Sequence, residues 1–549
     1  MRPLLRAKSS LRRAAVAVSP RGRSPLRRAA VPALTIAVLA AILASGGPGG
    51  GAPGARAAAS AQPNIVVITT DDQRLTLNRR VMPETKRRIV DKGTRFTQAI
   101  VTTPLCCPSR ASMLTGQYAH NHGTLSNRAG YPALVDKENV LPEWLRQAGY
   151  RTAHVGKFLN GYPGGGLAPQ TVAPGWDEWA TLMIPRLYYN FDLSINGTPT
   201  HYGKRDRDHL TRTLTRQAVQ VIRRNAGEAA PFFLQLDHFA PHTEPQKSRS
   251  GRCGGNVVPE ARDLGLFKDE PVERPPSYNE ADVSDKPSFV QELAPLNRKR
   301  RDALKQRNRC RLAALHSVDR SIAKVMRTLK QEGELSETVI VFISDNGYFL
   351  GEHRIKVNKT LPYEEALRVP LAIRAPRAYR GNAEQLPKSD EPVANIDLVP
   401  TLLDWAGADP CRSSGDCRTM DGRSLVGLLS GENAGWPDER ALLVEYGRAV
   451  EGDNILGVCG YQGLRLPETL YIEYTSLRSA SRVCEPSRER ELYDLDADPH
   501  QLANLFPPAP ATPEAQKLGE LEARLSSLQD CSGIAGRDPD PEGRRTHCE

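Results

Sequence analysis

The sequence Asn-Ile-Val-Val-Ile-Thr-Thr at residues 64–70 is dominated by β-branched residues, and two aspartates follow it directly. A continuous run of this kind is typical of a strand that is buried on both faces of a sheet. Similar runs occur at 152–155, 232–236 and 339–343, and helical patterns lie between them. Because strands that alternate with helices favour parallel pairing, we predict an α/β fold in which a mostly parallel sheet is sandwiched by helices.

The C-terminal part of the chain has a different pattern. Short strands are predicted at 441–444 and 469–472, and a closing helix at about 513–528. Strands that follow one another without helices favour an antiparallel sheet. We therefore expect a catalytic domain at 62–435 and a smaller α+β domain with an antiparallel sheet at 436–549.

Residues 1–61 have the composition of an export leader. They include ten lysines and arginines but no acidic residue, an apolar segment at 31–44, and the small residues Ala59-Ser60-Ala61. The apolar segment has about the length of a signal-peptide core and is short for a membrane span. We therefore predict cleavage near Ala61 and a secreted or cell-surface protein without a stable membrane partner. An uncleaved membrane anchor is the alternative.

The net charge of the chain, +11, is concentrated in that leader. Without the ten basic residues, the rest of the chain has a net charge of +1. Because nucleic-acid binding depends on clustered positive charge, no nucleic-acid partner is expected. A basic run at 298–301 could contact a polyanionic glycan, although such a run is more often a solvated helix face.

The chain has ten cysteines, a number that fits an oxidising compartment. Cys106 and Cys107 belong to a motif described below. The other eight can pair in their order along the chain, and a zinc site is less favoured because no Cys-x-x-Cys pair occurs. The predicted disulfides are Cys253–Cys310, Cys411–Cys417, Cys459–Cys484 and Cys531–Cys548.

Two pairs of polar residues follow the predicted strands at 64–70 and 339–343. These pairs are Asp71-Asp72 and Asp345-Asn346. Ligands of parallel sheets bind at the carboxyl ends of the strands, so we expect the two pairs to lie together. Oxygen ligands without histidine or cysteine fit Ca²⁺, or Mg²⁺, and not zinc. Helix caps or turns are the alternative roles for such pairs.

The segment at 106–116 is Cys-Cys-Pro-Ser-Arg-Ala-Ser-Met-Leu-Thr-Gly. It resembles the signature of the sulfatase family, in which a modifying enzyme recognises Cys-x-Pro-Ser-Arg and oxidises the cysteine to formylglycine. The resemblance implies an alkaline-phosphatase-like fold and a sulfuric ester hydrolase. It also implies that Cys106 becomes the nucleophile and is held against the metal ion. A disulfide between Cys106 and Cys107 is the alternative.

The resemblance extends over most of the chain and implies further site residues. It implies that Lys157 and Lys359 bind the sulfate, that His242 meets the substrate oxygen as a proton donor, and that Arg110 fixes the nucleophile. Many members of the family have a histidine two residues after the first lysine, where this chain has Leu159.

Three other histidines are candidates for contacts with the substrate. His120 and His122 could replace the histidine that is missing at Leu159, and His353 follows the second pair of metal ligands. A single histidine is more often a hydrogen-bonded packing residue, which is the alternative for all three.

The motifs are closest to those of the N-acetylglucosamine-6-sulfatase and heparan endosulfatase branch. The resemblance therefore implies a sulfated carbohydrate similar to N-acetylglucosamine 6-sulfate as the substrate, and a formylglycine-generating enzyme as the partner during maturation. Three alternatives remain open, because pocket loops determine the substrate. They are an aryl sulfatase, a phosphate or phosphonate ester hydrolase on the same scaffold, and a glycan-binding protein without catalytic activity.

Overall fold

The structure, a computed structural model, describes most of the chain between residues 62 and 549. The predicted leader and its cleavage site at Ala61 lie outside the described residues. The other segments outside them are 76–79, 164–167, 169, 245–252, 254–256, 381–384, 432–434, 438, 448–457, 479–482, 508–509, 511 and 544.

Among the described residues, ten strands form a large sheet and four form a small one. The strands of the large sheet are β1 Asn64–Thr70, β2 Thr94–Ile100, β3 Arg151–Gly156, β4 Glu178–Leu182, β5 Phe191–Ile195, β6 Thr198–Tyr202, β7 Phe232–Asp237, β8 Thr338–Ser344, β9 Leu371–Arg374 and β10 Lys388–Ala394. Those of the small sheet are β11 Leu442–Tyr446, β12 Val458–Arg465, β13 Thr469–Arg478 and β14 Val483–Asp494.

The described helices surround these sheets. They are α1 Pro83–Arg88, α2 Cys106–Thr115, α3 Ala119–His122, α4 Leu141–Gln147, α5 Leu210–Asn225, α6 Ser288–Gln291, α7 Arg298–Gln331, α8 Glu364–Leu367, α9 Leu398–Ala406, α10 Val426–Ser430 and α11 Pro513–Leu528. The basic run at 298–301 forms the first turn of α7 and is mostly exposed, as expected for a solvated helix face.

The large sheet is mostly parallel. Its strand order is β10-β2-β9-β8-β1-β7-β3-β4-β5-β6, and the five central strands from β8 to β4 are parallel to one another. The predicted strands at 64–70, 152–155, 232–236 and 339–343 are four of these five. The expected α/β fold class is therefore confirmed.

Alternate residues of the central strands pack on opposite faces of the sheet. In β1, Ile65 and Val67 belong to one hydrophobic core, and Val66 and Ile68 belong to the other. Helices α4 and α9 complete the first core, while α5 and α7 complete the second. The unbroken apolar run is explained by this two-sided burial. Because the five central strands are parallel, their carboxyl ends lie at one edge of the sheet.

The small sheet is antiparallel throughout, as predicted for the C-terminal part of the chain. Its side chains share a core with the loops of the large sheet, where Leu443 and Tyr461 pack with Ile100 and Phe349. Residues Ser60–Glu549 form one compact unit. The small sheet begins at Leu442, and the domain boundary expected at 436 stays a prediction.

Eight cysteines form four disulfides, and the pairs are those proposed from their order in the sequence. Cys106 and Cys107 are free and buried. Across the described residues, no helix combines the length and the apolar character needed to cross a membrane.

Candidate active site

The ends of two neighbouring strands create a buried polar cluster. β1 and β8 pair in parallel along their whole length, so the residues that follow them meet at one edge of the sheet. Asp71 and Asp72 follow β1, while Asp345 and Asn346 follow β8. All four side chains are buried. The structure thus brings together the two pairs that were expected to bind a metal ion.

Asp72 is fixed by its neighbours. Its backbone N–H donates to Asp345 Oδ1 at 3.0 Å, and Asn346 Nδ2 donates to Asp72 Oδ1 at 2.8 Å. The φ angle of Asp72 is +69°, which lies in the left-handed region that residues other than glycine rarely adopt. Such a conformation persists where the surrounding structure determines it, and it is frequent at functional sites.

Cys106 is the first residue of α2, and its side chain contacts the cluster. Its Sγ lies 3.4 Å from Asp71 Oδ1 and 2.5 Å from Lys359 Nζ. Burial, followed by the charge of Asp71, raises the pKa of the Cys106 thiol to about 12. The thiol is therefore neutral near pH 7 and differs from the ionised cysteines that act as nucleophiles.

The first turn of α2 is held from outside the helix. Asn127 Oδ1 accepts a hydrogen bond from the backbone N–H of Cys107 at 3.0 Å. Asn395 Nδ2 donates to Ser109 Oγ at 3.0 Å. These contacts fix residue 106 at the N-terminal end of the helix, where backbone N–H groups favour an anion.

Two buried lysines neutralise the two aspartates. Lys157 Nζ donates to Asp71, and Lys359 Nζ donates to Asp72. Burial opposes ionisation of Asp71, yet Lys157 and His242 hold its pKa well below the usual value. Burial also opposes ionisation of Asp72, and Lys359 lowers its pKa in turn. Both carboxylates are therefore in the ionised form that binds cations.

Asp345 differs from these two aspartates. Burial, together with repulsion from Asp71, raises the pKa of Asp345 to about 6. Two carboxylates that approach each other away from water cannot both ionise without cost. A bound cation would offset this repulsion.

Arg110 links the cluster to the neighbouring strands. Its Nε donates to Asp345 Oδ2 at 2.9 Å, and its Nη1 donates to the carbonyl oxygen of Lys157 at 2.8 Å. Its Nη2 is buried and has no hydrogen-bond partner among the described residues. The guanidinium was expected to fix residue 106. Its hydrogen bonds go instead to the groups around that residue, and Nη2 stays available for an anion.

His242 lies at the rim of the cluster, with 26% of its side chain exposed. Its Nδ1 is 2.5 Å from the carbonyl oxygen of Thr243, and its Nε2 is 3.8 Å from Asp72 Oδ2. Burial lowers the pKa of His242 to about 4, although Asp71 and Asp72 oppose that shift. In the neutral ring, Nδ1 donates to the carbonyl oxygen. Nε2 therefore presents a lone pair to the cluster and is arranged to accept a proton.

The donor atoms of the site suit a hard divalent cation. Ligand atoms of Asp71, Asp72, Cys106 and His242 all lie within 4.8 Å of one another. Asn346 Oδ1 is buried, and no partner for it is present in the described part of the chain. Carboxylate and amide oxygens are the ligands that calcium and magnesium prefer. The residues that are present therefore fit such an ion.

Two of the histidines that were candidates for substrate contacts form hydrogen bonds outside the cluster. His120 Nδ1 lies 3.0 Å from Glu445, and His353 Nδ1 lies 2.7 Å from Glu280. Burial favours the neutral ring in both. Glu445 nevertheless raises the pKa of His120 to about 9, and Glu280 with Glu365 raises that of His353 to about 9. Both are paired with carboxylates outside the cluster.

His122 is a packing residue within α3. It is fully buried, accepts a hydrogen bond from the backbone N–H of Thr124 at 3.1 Å, and lies 3.2 Å from Ser112 Oγ through Nε2. Burial lowers the pKa of His122 to about 3. Both ring nitrogens are thus used, and the structure does not bring this histidine into the cluster.

Asp237 and His154 lie near the site and were not predicted as site residues from the sequence. Asp237 Oδ2 accepts a hydrogen bond from Gln235 at 2.8 Å and lies 3.1 Å from His154 Nε2 and 3.5 Å from Arg110 Nη1. Asp237 is the last residue of β7, so the strand-end rule that selected the metal ligands could have found it. His154 lies inside β3 and carries no comparable signal.

Comparisons with known proteins identify the family. The model of the sulfatase family matches residues 63–408, and that of N-sulphoglucosamine sulphohydrolase, C-terminal, matches residues 351–530. The chain is 32% identical to the N-acetylglucosamine-6-sulfatase of Homo sapiens over 511 residues, which is 87% of this chain and 86% of that protein. It is also 32% identical to an arylsulfatase of Volvox carteri over 521 residues, or 88% of this chain and 77% of that protein.

A solved structure supports the fold. It contains a protein in complex with its substrate D-glucosamine-2-N,6-O-disulfate and superimposes with a TM-score of 0.66. The identity is 24%, and the match covers 85% of this chain and 97% of the other. The expected alkaline-phosphatase-like architecture is therefore present. With the family model matching most of the chain, this protein belongs to the sulfatase family and is a sulfuric ester hydrolase.

Proposed function

We propose that this sulfatase hydrolyses sulfate monoesters of sugars, with a substrate similar to N-acetylglucosamine 6-sulfate, through a formylglycine made from Cys106 and with one calcium ion. The position of Cys106 supports this proposal above all. Its side chain lies at the N-terminal end of a helix, against Asp71 and Lys359. The Cys-x-Pro-Ser-Arg motif that a modifying enzyme would recognise is intact.

The environment of Cys106 favours an oxygen nucleophile. Because burial keeps the thiol neutral, an unmodified cysteine would attack slowly. Formylglycine replaces the thiol with an aldehyde, which adds water to form a geminal diol. One hydroxyl of the diol attacks sulfur, and the other later permits release of the product.

The chain also provides a set of ligands for calcium. Asp71, Asp72, Asp345 and Asn346 would hold the ion, together with an oxygen of the modified residue 106. When bound, calcium would polarise the sulfate and favour an ionised hydroxyl beside it. Magnesium has the same preference for oxygen ligands, so an assay must distinguish the two ions.

In the first step, a hydroxyl of residue 106 forms a bond to sulfur and the bond between sulfur and the sugar oxygen breaks. His242 Nε2 accepts the hydroxyl proton and passes it to the leaving sugar oxygen. Lys157, Lys359 and the free Nη2 of Arg110 bind the sulfate oxygens and stabilise the charge that develops on them. The result is a sulfate ester on residue 106 and a free alcohol.

In the second step, the remaining hydroxyl of residue 106 loses its proton to His242. Its oxygen then forms the aldehyde carbonyl while the bond from carbon to the sulfate oxygen breaks. Sulfate leaves, the proton passes to solvent, and addition of water regenerates the diol. A serine ester could not collapse in this way, which is the chemical reason for the modification.

Other observations support the proposed substrate and location. The human relative is named for N-acetylglucosamine 6-sulfate, and the bound substrate of the structural relative is a sulfated glucosamine. The leader-like residues 1–61 and the four disulfides support export to an oxidising compartment. A formylglycine-generating enzyme of the host would be the partner during maturation.

A substrate panel tests this proposal. Released sulfate is measured for N-acetylglucosamine 6-sulfate, sulfated oligosaccharides and 4-nitrophenyl sulfate, and released phosphate is measured for 4-nitrophenyl phosphate. Each assay is run with EDTA and after addition of calcium, magnesium or zinc. We expect the highest kcat/KM for the 6-sulfated sugar and recovery of activity with calcium. Preference for the aryl sulfate or the phosphate ester would contradict the sugar assignment, and recovery with zinc alone would contradict the metal.

A further inference from the structure

Arg311 contacts three loops of the active site at once. It lies on α7, is 3% exposed, and belongs to none of the motifs discussed so far. We propose that Arg311 is a positioning residue that fixes the metal-binding loop and the His242 loop relative to each other. This inference concerns the site to which the proposed function assigns calcium and therefore rests on that assignment.

The first contact is with the loop that follows β1. Arg311 Nη2 donates a hydrogen bond to the backbone carbonyl oxygen of Asp72. This is the residue whose φ of +69° requires support from its surroundings. The side chain of Asp72 is bound by Asn346 and Lys359, but its carbonyl group is bound by Arg311. Arg311 therefore fixes the peptide plane that determines where the carboxylate points.

The second and third contacts are with the loops that follow β7 and β8. Arg311 Nη1 donates to the carbonyl oxygen of Pro241 at 3.2 Å, one residue before His242. The guanidinium carbon lies 3.8 Å from the centre of the Tyr348 ring, two residues after Asn346. β8, β1 and β7 are adjacent in the sheet. One side chain thus joins the loops that carry the metal ligands to the loop that carries the proposed base.

Only arginine provides these three contacts together. Its planar fork donates in two directions while its face rests on an aromatic ring, whereas a lysine has a single nitrogen. No carboxylate forms a salt bridge with Arg311 within the described part of the chain. A cation that was present only to balance charge would be expected beside an acid. The partners observed here are two carbonyl oxygens and a ring, which suits a role in positioning.

The consequence can be measured as metal affinity. Loss of the guanidinium group should remove the hydrogen bonds to the carbonyl groups of Asp72 and Pro241. The proposed metal ligands themselves would be unchanged. Residues that orient metal ligands typically contribute about 10–100-fold to affinity or activity. We expect R311M to weaken calcium binding by about this factor and to lower kcat by a similar factor, with a smaller change in KM.

The test uses the full-length protein and three variants. R311M removes the fork, R311K keeps the charge, and R327M makes the same type of change at an exposed position on the same helix. Calcium affinity is measured by titration calorimetry, kcat and KM with 4-nitrophenyl sulfate, and folding by thermal unfolding without added calcium. We expect R311K to lie between R311M and wild type, because an ammonium group reaches one carbonyl oxygen at a time, and R327M to match wild type.

The proposal would be overturned if R311M folds and its calcium affinity and kcat both lie within about twofold of the values for R327M. Such a change is far below the expected range. If R311M does not fold, the same criterion applies to R311K. Failure of the proposed function has a different signature: wild type and R327M would bind calcium and hydrolyse no sulfate ester. In that case the weaker calcium binding of the Arg311 variants would still support the positioning role.

Discussion

The active site and the contact around Arg440 are both buried and charged, but their polar groups are satisfied to different degrees. Arg440 donates to both oxygens of Asp397, at 2.7 and 2.8 Å, and to Glu549 at 2.5 Å. In the active site, Asn346 Oδ1 and Arg110 Nη2 are buried without partners among the described residues. A buried polar group without a partner lowers stability, and the proposed metal ion and sulfate would supply the partners that these two atoms lack.

The two regions should therefore respond differently to substitution. Changes in the active site should affect catalysis more than stability, because the site is already incompletely bonded. Changes at Arg440 should affect stability more than catalysis, because each bond there is made within the protein. The variants below test whether the two regions can be separated in this way.

The largest effect is expected for Cys106→Ala. The substitution removes the precursor of the nucleophile, so kcat for a sulfate ester should fall by at least about 10³-fold, while the thermal unfolding midpoint changes little. Peptide mass spectrometry of wild-type protein from its own host should show residue 106 as an aldehyde or its hydrate. Wild-type protein that is active and contains only unmodified cysteine would rule out the formylglycine mechanism.

Cys107→Ala is the matched control for this variant. Cys107 is a neighbouring buried thiol on the same helix, and its backbone N–H, which binds Asn127, is unchanged by the substitution. We expect Cys107→Ala to keep most of the activity and to lose some stability through the small cavity that it creates. Equal loss of activity in both variants would mean that the start of α2, and not the nucleophile, had been damaged.

The contrast between the two regions also explains which features the sequence predicts. The run at 64–70 and the pair Asp71-Asp72 are local patterns, so the strand and the acidic pair at its end can be identified without knowledge of their neighbours. The role of that pair as metal ligands stays a proposal. Cys106, Lys157 and Lys359 were assigned because they lie in motifs of a known family.

Long-range partners are invisible in the same sequence. Arg311 binds Asp72 across 239 positions of the chain, and His120 binds Glu445 across 325. No local pattern identifies the distant partner of such an arginine, or distinguishes such a histidine from a substrate ligand. For this reason His120 was a candidate for the substrate, although the structure pairs it with a glutamate.

A large loss of stability is expected for Arg440→Met. The change leaves Asp397 and Glu549 buried without their common partner, and breaking a buried ion pair on one side typically costs about 3–5 kcal/mol. We expect urea unfolding to show this loss of free energy, while kcat and KM at 25 °C stay close to those of wild type. A drop in kcat at a temperature where the variant is fully folded would contradict the separation of the two regions.

Arg298→Met is the control for that variant. Arg298 is exposed, with 92% of its side chain accessible, and its only described ion pair is with Asp302 at 3.9 Å. An exposed pair of this kind contributes about 0–1 kcal/mol. The difference in unfolding free energy between the two variants therefore isolates the contribution of the buried position.

The smallest effect is expected for His120→Gln and depends on pH. Although burial opposes it, Glu445 raises the pKa of His120 to about 9 from an ordinary value of 6.5. Because the folded state binds the proton more tightly, this pair stabilises the protein fully below pH 6.5. The stabilisation disappears as the pH rises through about 9. Its size is on the order of 3 kcal/mol.

Thermal unfolding between pH 6 and pH 10 checks this prediction. Wild type should lose stability relative to His120→Gln as the pH rises, so the two unfolding midpoints should converge near pH 10. His201→Gln, in which the exposed partner of Asp192 is changed in the same way, controls for the substitution itself. A constant difference between wild type and His120→Gln across this range would show that the ring stabilises the fold through packing and hydrogen bonding, and not through its charge. Since His120 has no described contact with the active site, kcat for the sulfate ester at pH 7 should change little in either variant.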